Sequence, residues 1–303
     1  MFARECCFQN QQGQCALWCA ALRGHATIVE QLLRHDGIKA DCSDVEYGLT
    51  PLAAAVAKGH LNIVQHLLAT GRVDINARDK LDRTPVFHAI RIRDQKTTNL
   101  VPLVRTLLTH PGVHVNAQDD DDRTALWYAV SHGNEETVQL LLHSGGDITA
   151  ADMFGMTPLH QAIEKGHASI VKMLLSRSAT ISVALVTEGG GAHEGQPPLC
   201  IAARTGNAEI AKLLLDRGPD VNVTDGEGRT PLHLAAAKGH DRVVQRLLNQ
   251  ECINLHARDR HRSTVLHEAV IGGHLFVVKL LLAEPNIEIN ARDKDGSTPR
   301  FGG

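Results

Sequence analysis

One phrase recurs along the whole 303-residue chain. It reads Thr50-Pro51-Leu52, Thr84-Pro85-Val86, Thr124-Ala125-Leu126, Thr157-Pro158-Leu159, Pro197-Pro198-Leu199, Thr230-Pro231-Leu232, Thr264-Val265-Leu266 and Thr298-Pro299, with Cys15-Ala16-Leu17 in the same slot at the front. The intervals between first residues are 35, 34, 40, 33, 40, 33, 34 and 34, a steady period broken by two insertions. A period of this size marks one supersecondary unit that cannot bury its apolar face alone, so neighbouring units must stack. A length-based expectation of two globular domains therefore gives way to a single repeat array.

Each unit carries the same internal signals. Thr suits a helix N-cap and Pro the first helical position. Small residues follow, as at Ala54-Ala55 and Ala235-Ala236, where a second helix can approach closely. A helix-ending Gly comes next, followed by His or Asn: Gly24-His25, Gly59-His60, Gly133-Asn134, Gly166-His167, Gly206-Asn207, Gly239-His240 and Gly273-His274. A second helix then shows apolar pairs one turn apart, such as Ile63, Val64, Leu67 and Leu68. A short β-like stretch ending in Asn closes the unit, as in Val73-Asp74-Ile75-Asn76.

This pattern resembles the ankyrin repeat, with its 33-residue period and T-P-L-H-x-A signature. The nearest matches are Thr230-Pro231-Leu232-His233-Leu234-Ala235 and Thr157-Pro158-Leu159-His160-Gln161-Ala162. The resemblance covers essentially the whole chain. It implies a mostly all-α fold, an elongated and curved ankyrin α-solenoid with short β-hairpin turns. We expect residues 1–13 to be an N-terminal extension and 14–296 an array of about eight repeats, starting near 14, 48, 82, 122, 155, 195, 228 and 262. Residues 297–303 read as a truncated ninth repeat, expected to fray. Either the chain is a fragment of a longer array or its eighth unit acts as an imperfect cap.

Some positions depart from the pattern. The third unit has Arg93 where the helix-ending Gly belongs, and an insertion at about 93–99 lengthens the loop between its helices. A second insertion, 184–196, carries Gly189-Gly190-Gly191 but no following Lys, so phosphate binding is not expected. Asp82, Asp122 and Arg262 replace a turn Gly that stands at Gly13, Gly48, Gly155, Gly195, Gly228 and Gly296. Asp tolerates positive φ better than most residues, and Arg262 is the least comfortable of the three.

Composition excludes several functions. Phe, Trp and Tyr together make up 3%, too few for base-stacking platforms or aromatic sugar sites, and a net charge of −3 creates no field for nucleic acid or anionic membranes. No window approaches a membrane-spanning apolar run. Met1 to Asn10, with Arg4 and Glu5, lacks the apolar run of a signal peptide, so cytoplasm or nucleus is the expected location. Seven cysteines form no regular framework, and no disulfide staple is expected. A zinc site at Cys6, Cys7, Cys15 and Cys19 is disfavoured by spacing and by the repeat slots that Cys15 and Cys19 fill.

Of eighteen histidines, eight belong to the repeat: His160, His233 and His267 in the signature, and His25, His60, His167, His240 and His274 after the Gly. In the family these positions hydrogen-bond turns and neighbouring repeats. No catalytic motif is present, so no enzyme, cofactor or metal is expected.

Surface remains. The resemblance implies a non-enzymatic scaffold or adaptor that binds another protein on its concave face and turn tips, with no nucleic acid or membrane partner, as a monomeric array. A transcriptional co-regulator or substrate adaptor, and a fragment whose catalytic domain lies elsewhere, are the alternatives. The tips are Asp79 to Arg83, Asp119 to Arg123, Asp152 to Met156, Asp225 to Arg229 and Asp259 to Ser263; Asp120 and Asp121 lie in an acidic run. The first helices contribute a partly basic stripe, including His132, Lys165 and Lys238, with Arg91 and Arg204 nearby. Met153, Phe154 and Met156 put large apolar groups on a turn expected to be wet. Trp18, Phe87 and Trp127 are expected to be buried and Tyr128 to face the groove, which places the partner site on units three to six.

Overall fold

The computed structural model describes residues 9–91, 100–177 and 196–299. Cys6, Cys7, the insertion at 93–99, nearly all of the insertion at 184–196 and residues 300–303 lie outside the described residues. Sixteen helices are present among the described residues, in pairs that follow the repeat, and the chain divides into two compact units, Met1–Met153 and Phe154–Gly303.

Unit one holds α1 (Ala16–Arg23), α2 (Ala26–Leu33), α3 (Pro51–Ala57), α4 (Leu61–Ala69), α5 (Pro85–Ile90), α6 (Leu100–Leu108), α7 (Ala125–Ser131) and α8 (Glu135–His143). First helices pack on first helices, α1 on α3, α3 on α5 and α5 on α7, and second helices form a parallel row, α2 on α4, α4 on α6 and α6 on α8. Unit two repeats the scheme with α9 (Pro158–Glu164), α10 (Ala168–Arg177), α11 (Pro198–Thr205), α12 (Ala208–Leu215), α13 (Pro231–Lys238), α14 (Asp241–Leu248), α15 (Val265–Ile271) and α16 (Leu275–Leu282). No described helix is long and apolar enough to cross a membrane.

The cap and period signals act as read. Thr50, Thr124, Thr157 and Thr230 accept the N3 amide through their side chains. Pro51, Pro85, Pro158 and Pro231 open their helices, where a missing N–H costs nothing. The small first-helix residues Ala54, Ala55, Ala202, Ala203, Ala235 and Ala236 are fully buried, which lets adjacent first helices approach closely. Trp18, Phe87 and Trp127 are buried as expected, and the Trp18 indole donates to the Leu49 carbonyl at 2.8 Å.

Two kinds of residue after the helix-ending Gly do two different jobs. His60, His240 and His274 each place Nε2 against a carbonyl of the preceding repeat's first helix, at Leu22, Arg204 and Ala237. Asn134 and Asn207 instead cap their own second helices, accepting from the amides of Thr137 and Ile210. The His contact also dictates glycine next door. A Cβ on Gly24 would lie 2.7 Å from the His60 ring, and Gly24 has φ of +80°.

The turns are hydrogen-bonded hairpins too short to count as strands. Among the described residues one isolated bridge, Gln118 with Thr124, represents all β structure. Asp82, Asp122 and Arg262 are the non-glycine residues with positive φ among the described ones, at the positions where the turn glycine is missing.

One expectation is corrected. Cys15 and Cys42 form a disulfide, although no staple was expected. Cys15 is the N-cap of α1, and Cys42 fills the Ala slot held by Ala77, Ala117 and Ala291 in other turns. The helix pair brings the start and the end of one repeat together, a proximity that spacing along the chain does not display.

Candidate protein-binding surface

The turn tips carry the most available side chains, so their construction comes first. Four of them are organised by a buried aspartate. Asp79 Oδ1 accepts the amides of Leu81 and Arg83 at 2.8 and 3.0 Å, and Asp119, Asp225 and Asp259 do the same in their turns. This is an Asx turn extended over five residues, and it fixes the backbone without any contact from outside. Each tip then bonds to its neighbour. Within unit one, Val45 N–H donates to Gln12 O, Lys80 to Tyr47 O, Asp120 to Leu81 O and Met153 to Asp121 O. Within unit two, Arg260 donates to Glu227 O and Lys294 to His261 O.

In three of these hairpins the second carboxylate oxygen of the aspartate is taken by a side chain. Asp79 Oδ2 lies 2.7 Å from Arg83 and 3.0 Å from His88 Nε2, and these partners, with the backbone amides, hold its carboxyl well below the usual carboxylate range despite burial. Asp225 takes Arg229 at 2.8 Å. Asp119 takes the Tyr128 hydroxyl at 2.7 Å. Burial and that bond raise the Tyr128 phenol above its ordinary range.

Tyr128 therefore does not stand free in a groove. It is half-buried, edge-on to Phe87 at 5.9 Å and to Trp127 at 5.3 Å, with Arg91 5.8 Å above its ring. The expectation of an open contact residue is replaced by a structural one. The buried acceptor at Asp119, nine residues away in sequence, decides this, and nothing in the local pattern around Tyr128 announces it.

Three further candidates are also engaged internally. His132 Nδ1 lies 3.2 Å from the Ile90 carbonyl. Arg204 pairs with Glu164 at 2.6 Å, tying α9 to α11. Asp121 accepts from Arg123 at 2.7 Å, while the Arg123 guanidinium lies 4.5 Å over the Trp127 ring. Asp120, Met153, Phe154, Arg91, Lys165 and Lys238 are exposed, and Met156 is half-buried.

The sequence reading missed Val45 and Tyr47 and held Leu81 only as part of the Asp79 to Arg83 tip. Val45, Tyr47 and Leu81 are large, apolar and exposed on adjacent hydrogen-bonded tips of unit one, and Met153 continues the row beyond Asp120 and Asp121. Tyr47 and Leu81 hold the slot three residues before the capping Thr, which Phe154 holds in its own turn. That slot was legible, but only as a column across repeats. On the parallel edge of the first helices, Arg23, Lys58 and Arg91 stand exposed. Unit one thus offers an apolar tip row containing acidic residues and a separate basic stripe. Among the described residues no three His, Cys, Asp or Glu side chains converge as metal ligands.

A family model described as ankyrin repeats in three copies matches residues 3–79, 66–152, 86–184, 149–225 and 199–293. The chain belongs to the ankyrin-repeat family. Members of this family are generally protein–protein interaction modules and generally non-catalytic. Rabankyrin-5 of Homo sapiens is 35% identical over 69 residues, 23% of this chain and 6% of that protein. Alpha-latrotoxin-Lhe1a of Latrodectus hesperus is 32% identical over 82 residues, 27% of this chain and 6% of that protein. Ankyrin repeat-containing protein P1E11.10 of Schizosaccharomyces pombe is 40% identical over 73 residues, 23% of this chain and 33% of that protein. The chain thus spans a small part of the length of these relatives.

Proposed function

We propose that this ankyrin array is a non-enzymatic adaptor that binds a partner protein along the turn tips of unit one, with the basic edge of the first helices as a flanking contact. The observation that carries this reading is the row Val45, Tyr47, Leu81 and Met153, apolar side chains held out to solvent on tips that are already hydrogen-bonded to one another. Exposed large apolar groups gathered along one edge favour a contact surface. A backbone fixed before binding loses little conformational entropy on association.

Photo-crosslinkers placed at Leu81, Met153 and, as a control, Gln65 on the far side of α4 test the reading. Adducts with the same partner from the two tip positions and none from Gln65 are expected. Equal labelling from Gln65 would sink the tip assignment.

A further inference from the structure

The first helices of unit one carry basic side chains and no acidic ones. Helices α1, α3, α5 and α7 contain no Asp or Glu. Each ends on a basic side chain: Arg23 is the last residue of α1, and Lys58, Arg91 and His132 are the C-caps of α3, α5 and α7. The helix dipole accounts for a cation at each helix end. It does not account for the missing carboxylates, which the opposite ends of the same helices would favour. In unit two the balance differs. There α9 ends in Glu164, which neutralises Arg204 at 2.6 Å, and α15 carries Glu268.

Arg23, Lys58 and Arg91 are exposed. Among the described residues, the ion pairs of unit one are made by Arg34, Arg78, Arg83, His88 and Arg123, and leave these three side chains out. Arg91 instead lies over the Tyr128 ring at 5.8 Å, a contact that steadies the guanidinium and keeps its charge.

Helix α1 packs on α3 and α3 on α5, so the three cations form a row. Its step is about 8–10 Å, the distance between packed helices. An extended peptide advances about 3.3 Å per residue, which brings every third residue opposite the next cation. The turn tips precede the same helices, about 10 Å away across α3 (Pro51–Ala57). They expose Glu46, Asp82, Asp120 and Asp122, which repel a negative segment and steer it to the helix ends. Three cations beside acidic tips, on a chain of net charge −3, suit a short acidic peptide better than a nucleic acid.

We propose that the row Arg23, Lys58 and Arg91 binds an extended acidic segment of the partner protein, with Asp or Glu at every third position. This rests on the adaptor reading above and adds the chemistry of the segment that reaches the basic edge.

NMR titration of the isotope-labelled full chain with a synthetic peptide, Glu-Ser-Ala repeated three times, tests this. The amides of Arg23, Lys58 and Arg91 should shift together. Arg23→Glu, Lys58→Glu and Arg91→Glu should each weaken binding about fivefold. Arg91→Glu also gives up the Tyr128 contact, so the other two variants carry the comparison if its thermal midpoint drops. Lys212→Glu, at an exposed site on α12 of unit two, should leave binding unchanged. A peptide of the same composition with its Glu residues adjacent should bind more weakly, because it meets one cation instead of three. No shift at the three amides, an equal loss from Lys212→Glu, or equal affinity for the rearranged peptide overturns the proposal. So does tighter binding of a thymidine oligonucleotide of equal charge, which would assign the row to nucleic acid. The crosslinks from Leu81 and Met153 answer separately. If they capture a partner while the peptide does not bind, the acidic segment is wrong and the adaptor reading stands. If the peptide binds and the crosslinks fail, the tip assignment alone is wrong.

Discussion

The Tyr128 hydroxyl donates to Asp119 Oδ2 at 2.7 Å, so an aromatic side chain of α7 locks the hairpin that precedes it. Asp119 Oδ1 already holds the amides of Asp121 and Arg123, so the phenol completes the carboxylate's coordination. Tyr128→Phe removes one hydrogen bond to a buried charge and keeps the ring, at an expected cost of about 1–2 kcal/mol. Tyr128→Ala also removes the contacts to Phe87 and Trp127, and is expected to cost about 3 kcal/mol or more. Denaturant unfolding checks both. Equal midpoints for wild type and Tyr128→Phe would show that the bond contributes nothing.

Two signature histidines, His160 and His233, are expected to make stability pH-dependent. His160 Nδ1 accepts the Thr157 amide at 3.1 Å, so the ring is held neutral with its proton on Nε2, and burial lowers its pKa from 6.5 to about 4. His233 is lowered for the same reason, burial first. Between pH 6.5 and 4 the unfolded chain binds a proton at His160 that the folded chain refuses. Stability therefore falls as pH falls through that window and levels off below about 4. The full effect at His160 is about 3 kcal/mol. Gln at this capping-box position still reaches back to the N-cap amide but does not titrate. The double variant His160→Gln/His233→Gln should show a flatter thermal midpoint between pH 4 and 6.5; an unchanged slope would assign the effect elsewhere.

Arg262 sits at φ of +60° in a turn where most other repeats use glycine. The left-handed conformation costs an ordinary L-residue about 1–2 kcal/mol. Arg262→Gly should therefore stabilise the protein by about 1 kcal/mol after the extra freedom of glycine in the unfolded chain is counted. The reverse experiment belongs at Gly206, with φ of +76° and the His240 ring against it, where alanine meets both strain and a clash. Gly206→Ala should cost more than 2 kcal/mol. Thermal unfolding of the two variants should shift in opposite directions.

The Cys15–Cys42 bond closes a loop with a sequence separation of 27. Loop-closure entropy for that length corresponds to about 3.5 kcal/mol. Reduction, or Cys15→Ser, should lower the unfolding free energy by an amount of that order. Exchange protection should fall first at α1 and α2, because the bond joins the N-cap of α1 to the turn that follows α2. Identical stability of oxidised and reduced protein would rule out the staple.

The sequence by itself determined the repeat, its caps and its turn anomalies, because these are local. A Thr or Cys at the N-cap, a Gly or its Asp and Arg substitutes at positive φ, and apolar pairs at helical spacing each act within one or two turns of chain. The tertiary structure decided which of the surface candidates were free. Tyr128, His132 and Arg204 found partners 9, 42 and 40 residues away, and Cys15 found Cys42. Val45, Tyr47 and Leu81 became one row only when the tips bonded side by side. The same stacking determines that Ile63 is hidden and Ile28 is not. Burial in a repeat protein belongs to the junction between units, and a junction has two sides that a single repeat's sequence cannot display together.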